Sequence, residues 1–123
     1  VAYGTKNMAK GPAMTREEAV RALETGIAVA EEKIAAGYQL MATGEMGIGN
    51  TTTSSAMAAV FLNQPVPELT GRGAGLSSEG LARKIAAIEK AIAINQPDPS
   101  DPIDVLAKVG GFDIAGLHMA FRL

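Results

Sequence analysis

The chain has 123 residues, room for one domain and a modest core, and its formal net charge of -2 excludes the basic field that a nucleic-acid backbone requires. Cysteine is absent, which excludes a disulfide scaffold, thiol catalysis and thiolate-bound metal. Apolar residues make up 47% but aromatics only 4%, so each buried side chain removes little area from water and stability is expected to draw on further chain or a partner; no apolar run approaches the roughly 20 residues of a membrane span, and a soluble, cytoplasmic protein is the expectation.

Val1-Ala2-Tyr3-Gly4 reads as the end of a strand entering a loop, and both chain ends read as cut. Thr15-Arg16-Glu17-Glu18 matches the S/T-x-x-E capping box that starts a helix. Val20, Leu23, Ile27, Ala30 and Ile34 follow at helical spacing as the expected buried face, and Gly37 supplies a left-handed stop after about five to six turns. Tyr38 to Thr43, bounded by Gly37 and Gly44, is too short for a helix and reads as a buried strand. Helix, strand, glycine turn and helix together predict an α/β chain: a helix-rich piece of a parallel-sheet, Rossmann-like domain that contributes one or two strands. The missing strands are expected from elsewhere.

The turn Gly44-Glu45-Met46-Gly47-Ile48-Gly49-Asn50-Thr51 follows that strand and opens the next helix, where free N–H groups and the positive end of the dipole favour an anion. Its spacing is that of a Walker A loop with Asn50 in the lysine position. Losing that lysine favours a monophosphate or ribose-phosphate over a triphosphate; the bland alternative is a tight turn with no ligand. Glu45, at the strand's carboxyl end, is placed to steady developing positive charge or accept a proton, or else it is a solvated acid.

Thr51 to Leu62 is predicted helical, ending before Asn63-Gln64-Pro65-Val66-Pro67. Gly71-Arg72-Gly73-Ala74-Gly75 departs from the dinucleotide-binding fingerprint and leads into a long helix capped near Ser77 or Ser78, with Leu81, Ile85, Ile88 and Ile92 as its buried face. Arg72 and Lys84 flank that helix start, where a phosphate fits, although spacing alone favours a solvated face for Lys84. Asn95 to Ser100 is a loop, Asp101-Pro102 caps a short helix that stops at Gly110-Gly111, and Phe112 to Leu123 is apolar and helix-like. His118 stands without clustered ligands and reads as structural. The methionines read as core filler.

Taken together, Gly44 to Thr52, Gly71 to Leu76, Glu79 to Lys84 and Gly110 to Gly116, in this order, resemble the nicotinate-nucleotide:dimethylbenzimidazole phosphoribosyltransferase family of the cobalamin lower-ligand pathway. The resemblance spans nearly the whole chain. It implies transfer of ribose 5-phosphate from nicotinate mononucleotide to 5,6-dimethylbenzimidazole, giving α-ribazole 5'-phosphate and nicotinate, by a cytoplasmic homodimer that needs no cofactor or metal. Residues 1–123 would be the central segment of the catalytic domain, without the N-terminal region and the C-terminal motif that carries the family's general base. Glu45 would be the catalytic carboxylate and, with Met46, would border the base. Gly47, Ile48, Gly49, Asn50 and Thr51, with Arg72, Gly73 and Lys84, would hold the phosphate and ribose. An isolated 123-residue chain would then be inactive. Two alternatives from the residues themselves are a degenerate Walker-type nucleotide module and a non-catalytic helical interaction fragment.

Overall fold

Local caps and stops divide the chain into its helices, which a computed structural model describes over residues 1–118. These are α1 (Arg16–Ala35), α2 (Asn50–Leu62), α3 (Val66–Leu69), α4 (Ser78–Asn95), α5 (Pro102–Val109) and α6 (Phe112–Leu117). At the start of α1 the capping box closes in both directions. The Thr15 hydroxyl accepts from the Glu18 amide at 3.1 Å, and the Glu18 carboxylate accepts from the Thr15 amide at 2.8 Å. The remainder of the expected final helix, Met119 to Leu123, lies outside the described residues.

The buried stripe of α1 differs from the expected one. It is Ala19, Ala22, Gly26 and Ala30, whereas Val20, Val29 and Ile34 are exposed. The cause is close approach: a Cβ at Gly26 would fall on the Gly116 carbonyl oxygen of α6. Small residues let the two backbones meet, and larger ones have no room there. In α4 the stripe is Gly80, Lys84, Ile88, Ala91 and Asn95, one position away from much of the face that the large aliphatics indicate.

α5 joins the two halves of the core. Leu106 and Ala107 pack with Ala13, Met14, Ala19, Ala22 and Ala115. Val105 and Val109 pack with Ala56, Ala59, Val66, Ile88 and Ala91. Met8 and Met57 touch both clusters, as filler methionines should; Met46 does not, being 83% exposed. Both ends of α5 are closed. Asp101 caps the first turn through the amides of Ile103 (3.1 Å) and Asp104 (3.2 Å) and pairs with Arg16 at 2.6 Å. At the other end the Met14 and Ala13 amides donate to the carbonyls of Ala107 (2.9 Å) and Lys108 (3.1 Å), groups with no partner inside the helix.

The predicted α/β class is overturned: among the described residues there is no strand. Neither Val1 to Gly4 nor Tyr38 to Thr43 pairs with another segment, and Leu40 is 88% exposed. A strand exists only by exchanging hydrogen bonds with a neighbour, and this chain brings none to Tyr38–Thr43. The segment keeps strand-like composition without strand structure.

Two outcomes follow from this packing. Gly26→Ala should destabilise the fold by about 2 kcal/mol through overpacking against Gly116, measured by urea unfolding; an unchanged midpoint would remove the α1–α6 crossing from the account. The Arg16 guanidinium, followed by the Asp104 amide, holds the Asp101 carboxyl below its ordinary 3.8. A depressed folded value stabilises fully above the unfolded pKa and fades as pH falls through the folded one. The melting-temperature gap between wild type and Asp101→Ala should therefore be constant above about pH 5 and close below about pH 4.

Candidate functional site

Gly49 adopts a left-handed conformation (φ 82°) and turns the chain into α2, whose first residue is Asn50. No side chain caps this N-terminus and no acid stands in its first turn; the Thr52 amide turns back to the Gly49 carbonyl at 3.4 Å, which leaves the Asn50 and Thr51 amides and about half a positive charge from the dipole facing outward. The Asn50 Oδ1 atom is buried there without a hydrogen-bond partner.

Against this positive end α4 delivers a second positive group. Ser77 caps α4 through the Gly80 amide at 3.1 Å, and Ile88 and Ala91, both fully buried, anchor the helix on α2. Lys84 lies one turn from Gly80 on the same buried stripe and is only 8% exposed. Its ammonium donates to Thr51 Oγ1 at 2.8 Å and to the Gly71 carbonyl at 3.0 Å. Among the described residues no carboxylate lies within ion-pair distance of it. The solvated-face expectation for Lys84 is therefore wrong, and the useful signal was its helical spacing from Gly80, Ile88 and Ala91.

Gly73 completes the wall. Its φ is 57°, and a Cβ there would stand 2.8 Å from Thr51 Oγ1 and 3.7 Å from Lys84 Nζ. Both the backbone conformation and the approach thus require glycine. Asn50, Thr51, Gly71, Gly73 and Lys84 form one cluster, of which sequence reasoning missed only the Gly71 carbonyl. The lysine absent from the Walker position is supplied by α4, across the fold.

Other expected residues stand apart. Arg72 folds onto its own loop, donating to the Leu76 carbonyl at 2.8 Å and Ser78 Oγ at 3.1 Å. Met46 and Ile48 are exposed. The Glu45 carboxylate accepts from the Gly47 amide, so that one loop N–H is already occupied. The Gly110–Gly116 motif serves packing: Gly111 lets the start of α6 approach Thr53 of α2, and Gly116 meets Gly26. His118 ends the described chain beside an apolar cleft of about 300 Å³ with Leu23, Met57, Phe61 and Ile114. No group of residues arranged to hold a metal occurs among the described residues, and no described helix is long and apolar enough to cross a membrane.

With the geometry in place, comparison with known proteins is informative. A family model described as phosphoribosyltransferase matches residues 1–121. The nicotinate-nucleotide–dimethylbenzimidazole phosphoribosyltransferase of Alkaliphilus metalliredigens is 63% identical over 117 residues, 95% of this chain and 34% of that protein. The same-named protein of Geobacter sulfurreducens is 62% identical over 95% of this chain and 33% of its own length. The crystal structure of CobT from Thermus thermophilus superposes with a TM-score of 0.85 at 45% identity, covering 95% of this chain and 35% of that one. The chain thus spans about a third of the length of the curated relatives it matches.

An ammonium buried at the positive end of a helix, with only neutral oxygens around it, opposes folding. Lys84→Met should accordingly stabilise the empty protein by about 1 kcal/mol while removing anion affinity, as read from urea unfolding and phosphate titration. Loss of stability in this variant would mean that the lysine is held for structure.

Proposed function

Because the chain belongs to the phosphoribosyltransferase family, we propose that it forms the phosphate- and ribose-holding part of an enzyme that moves ribose 5-phosphate from nicotinate mononucleotide to 5,6-dimethylbenzimidazole. The products are α-ribazole 5'-phosphate and nicotinate. One observation carries the reading: the Lys84 ammonium, 8% exposed, faces the uncapped start of α2 without a counter-charge. A phosphate monoester there supplies the missing negative charge and accepts from the helix amides, Thr51 and Lys84 together. The names and identities of the relatives support the same substrates.

In this reading each residue has a bounded task. The first turn of α2 and Lys84 hold the phosphate, which fixes the attached ribose and orients its reacting carbon. Gly73 keeps the opposite wall thin enough for the ligand to reach Thr51 and Lys84. Departure of nicotinate leaves positive charge on the ribose, and the Glu45 carboxylate steadies it. An incoming phosphate competes with Glu45 for the Gly47 amide, and losing that bond frees the carboxylate for the sugar. Met46, exposed in this chain, borders the flat base. Removal of the benzimidazole proton belongs to a base outside these residues, and a cytoplasmic homodimer is the setting that the family resemblance supports.

The Walker-type alternative is weakened by the same geometry. A Walker threonine hydroxyl serves a magnesium ion, whereas Thr51 Oγ1 here accepts from an ammonium. Magnesium-dependent ATP binding would restore it.

The test replaces the matching third of the Alkaliphilus metalliredigens relative with this 123-residue segment. The chimera should turn over both substrates, and the segment alone should not. Within the chimera, Glu45→Gln should lower kcat about 100-fold, and Lys84→Met should raise KM for nicotinate mononucleotide at least about 10-fold. An active chimera indifferent to both substitutions would sink the proposal.

A further inference from the structure

The Lys84 ammonium has three N–H groups, and two are spent on Thr51 Oγ1 and the Gly71 carbonyl. Because Thr51 Oγ1 offers a lone pair to that ammonium, its hydroxyl hydrogen is directed away from Lys84. The hydroxyls of Thr53 and Ser54 turn back to the Asn50 carbonyl, at 2.9 and 3.1 Å. Among the described residues Thr51 makes no such return bond and serves only as an acceptor. The missing side chain of Gly73 leaves Thr51 Oγ1 its place, since a Cβ there would stand 2.8 Å from it. A hydroxyl that accepts from a cation is also a stronger donor, since the bonds polarise one another.

We propose that Thr51 is the positioning residue of the anion cradle: it fixes the Lys84 ammonium so that the remaining N–H faces the ligand, and its polarised hydroxyl donates beside it. The inference rests on the phosphate-holding reading above and adds the chemistry by which that site selects a ligand. The N–H and O–H donors together with the amides at the uncapped start of α2 outnumber the two oxygens of a carboxylate and suit the three terminal oxygens of a phosphate monoester. Thr51 touches the reaction only through Lys84 and the phosphate, so its effect falls on binding of the nucleotide and leaves the incoming base alone.

The test is a double-mutant cycle in the active chimera. Thr51→Val, which keeps the shape and removes the hydroxyl, should raise KM for nicotinate mononucleotide about 10-fold. KM for dimethylbenzimidazole and kcat should stay within about 2-fold. Thr51→Ser should restore the wild-type value, and in a Lys84→Met background Thr51→Val should add less than about 2-fold. Unchanged KM in Thr51→Val, failure of serine to rescue, or a full effect in the Lys84→Met background each overturns the proposal. A second measurement needs no turnover: inorganic phosphate titrated onto this chain, followed at the Thr51 and Gly73 amides by NMR. Wild type and Thr51→Ser should bind alike and Thr51→Val about 10-fold more weakly. Phosphate bound in this pattern without transferase activity in the chimera overturns the transferase reading alone. Wild type that binds no phosphate, or binds it no better than Thr51→Val, overturns the Thr51 proposal.

Discussion

One cation in the wrong place for stability organises this structure. Lys84 lies on the buried side of α4, and its charge meets the positive end of α2 rather than an acid. Hydrophobic contacts hold it there: Ile88 and Ala91 below it, with Ala56 and Ala59 of α2 across the interface. The hydrogen bonds to Thr51 and Gly71 satisfy two N–H groups but leave the net charge uncompensated. In the function proposed above, a ligand of opposite charge completes the group. Gly73, where a Cβ would stand 2.8 Å from Thr51 Oγ1 and 3.7 Å from Lys84 Nζ, lets the glycine loop lie close against that charge.

The glycines of this chain divide by task. Gly49 and Gly73 shape the cluster, through left-handed turns and close approach. Gly26 meets the Gly116 carbonyl where α1 crosses α6, and Gly111 leaves room for the Asp113 carboxylate at the start of α6. In sequence the two kinds look alike, since a motif rich in glycine signals tight geometry without saying what the geometry is for. Gly110-Gly111-Phe112-Asp113 belongs to the packing of this segment, whereas of Gly44 to Thr51 it is Asn50 and Thr51 that join the Lys84 cluster.

The legible features were local. The Thr15 capping box, the Ser77 and Asp101 caps and the break after Leu62 depend on residues within a few positions of one another, and the chain states them directly. What escaped depended on partners. Tyr38 to Thr43 has the composition of a strand but no neighbour to pair with, so its backbone forms no ladder. The faces of α1 and α4 were assigned to the largest aliphatics, while alanine and glycine settled the crossing distance. The solvated face that spacing from the large aliphatics gives Lys84 fails for the same reason, because the buried stripe runs through Gly80, Ile88 and Ala91 instead. Short α3 went unseen because Pro65 and Pro67 read only as a break.

The closure of α5 by residues from the start of the chain has an implication for biosynthesis. Ala13, Met14 and Arg16 precede their partners, Lys108, Ala107 and Asp101, by more than eighty positions. During translation the contacts of α1 with α5 and α6 wait until those helices follow, a delay set by loop closure and by the ribosome's pace. The interval is a window for capture by chaperones or for mispairing with another nascent chain, and it closes only when the opening and the closing helices of this segment finally meet.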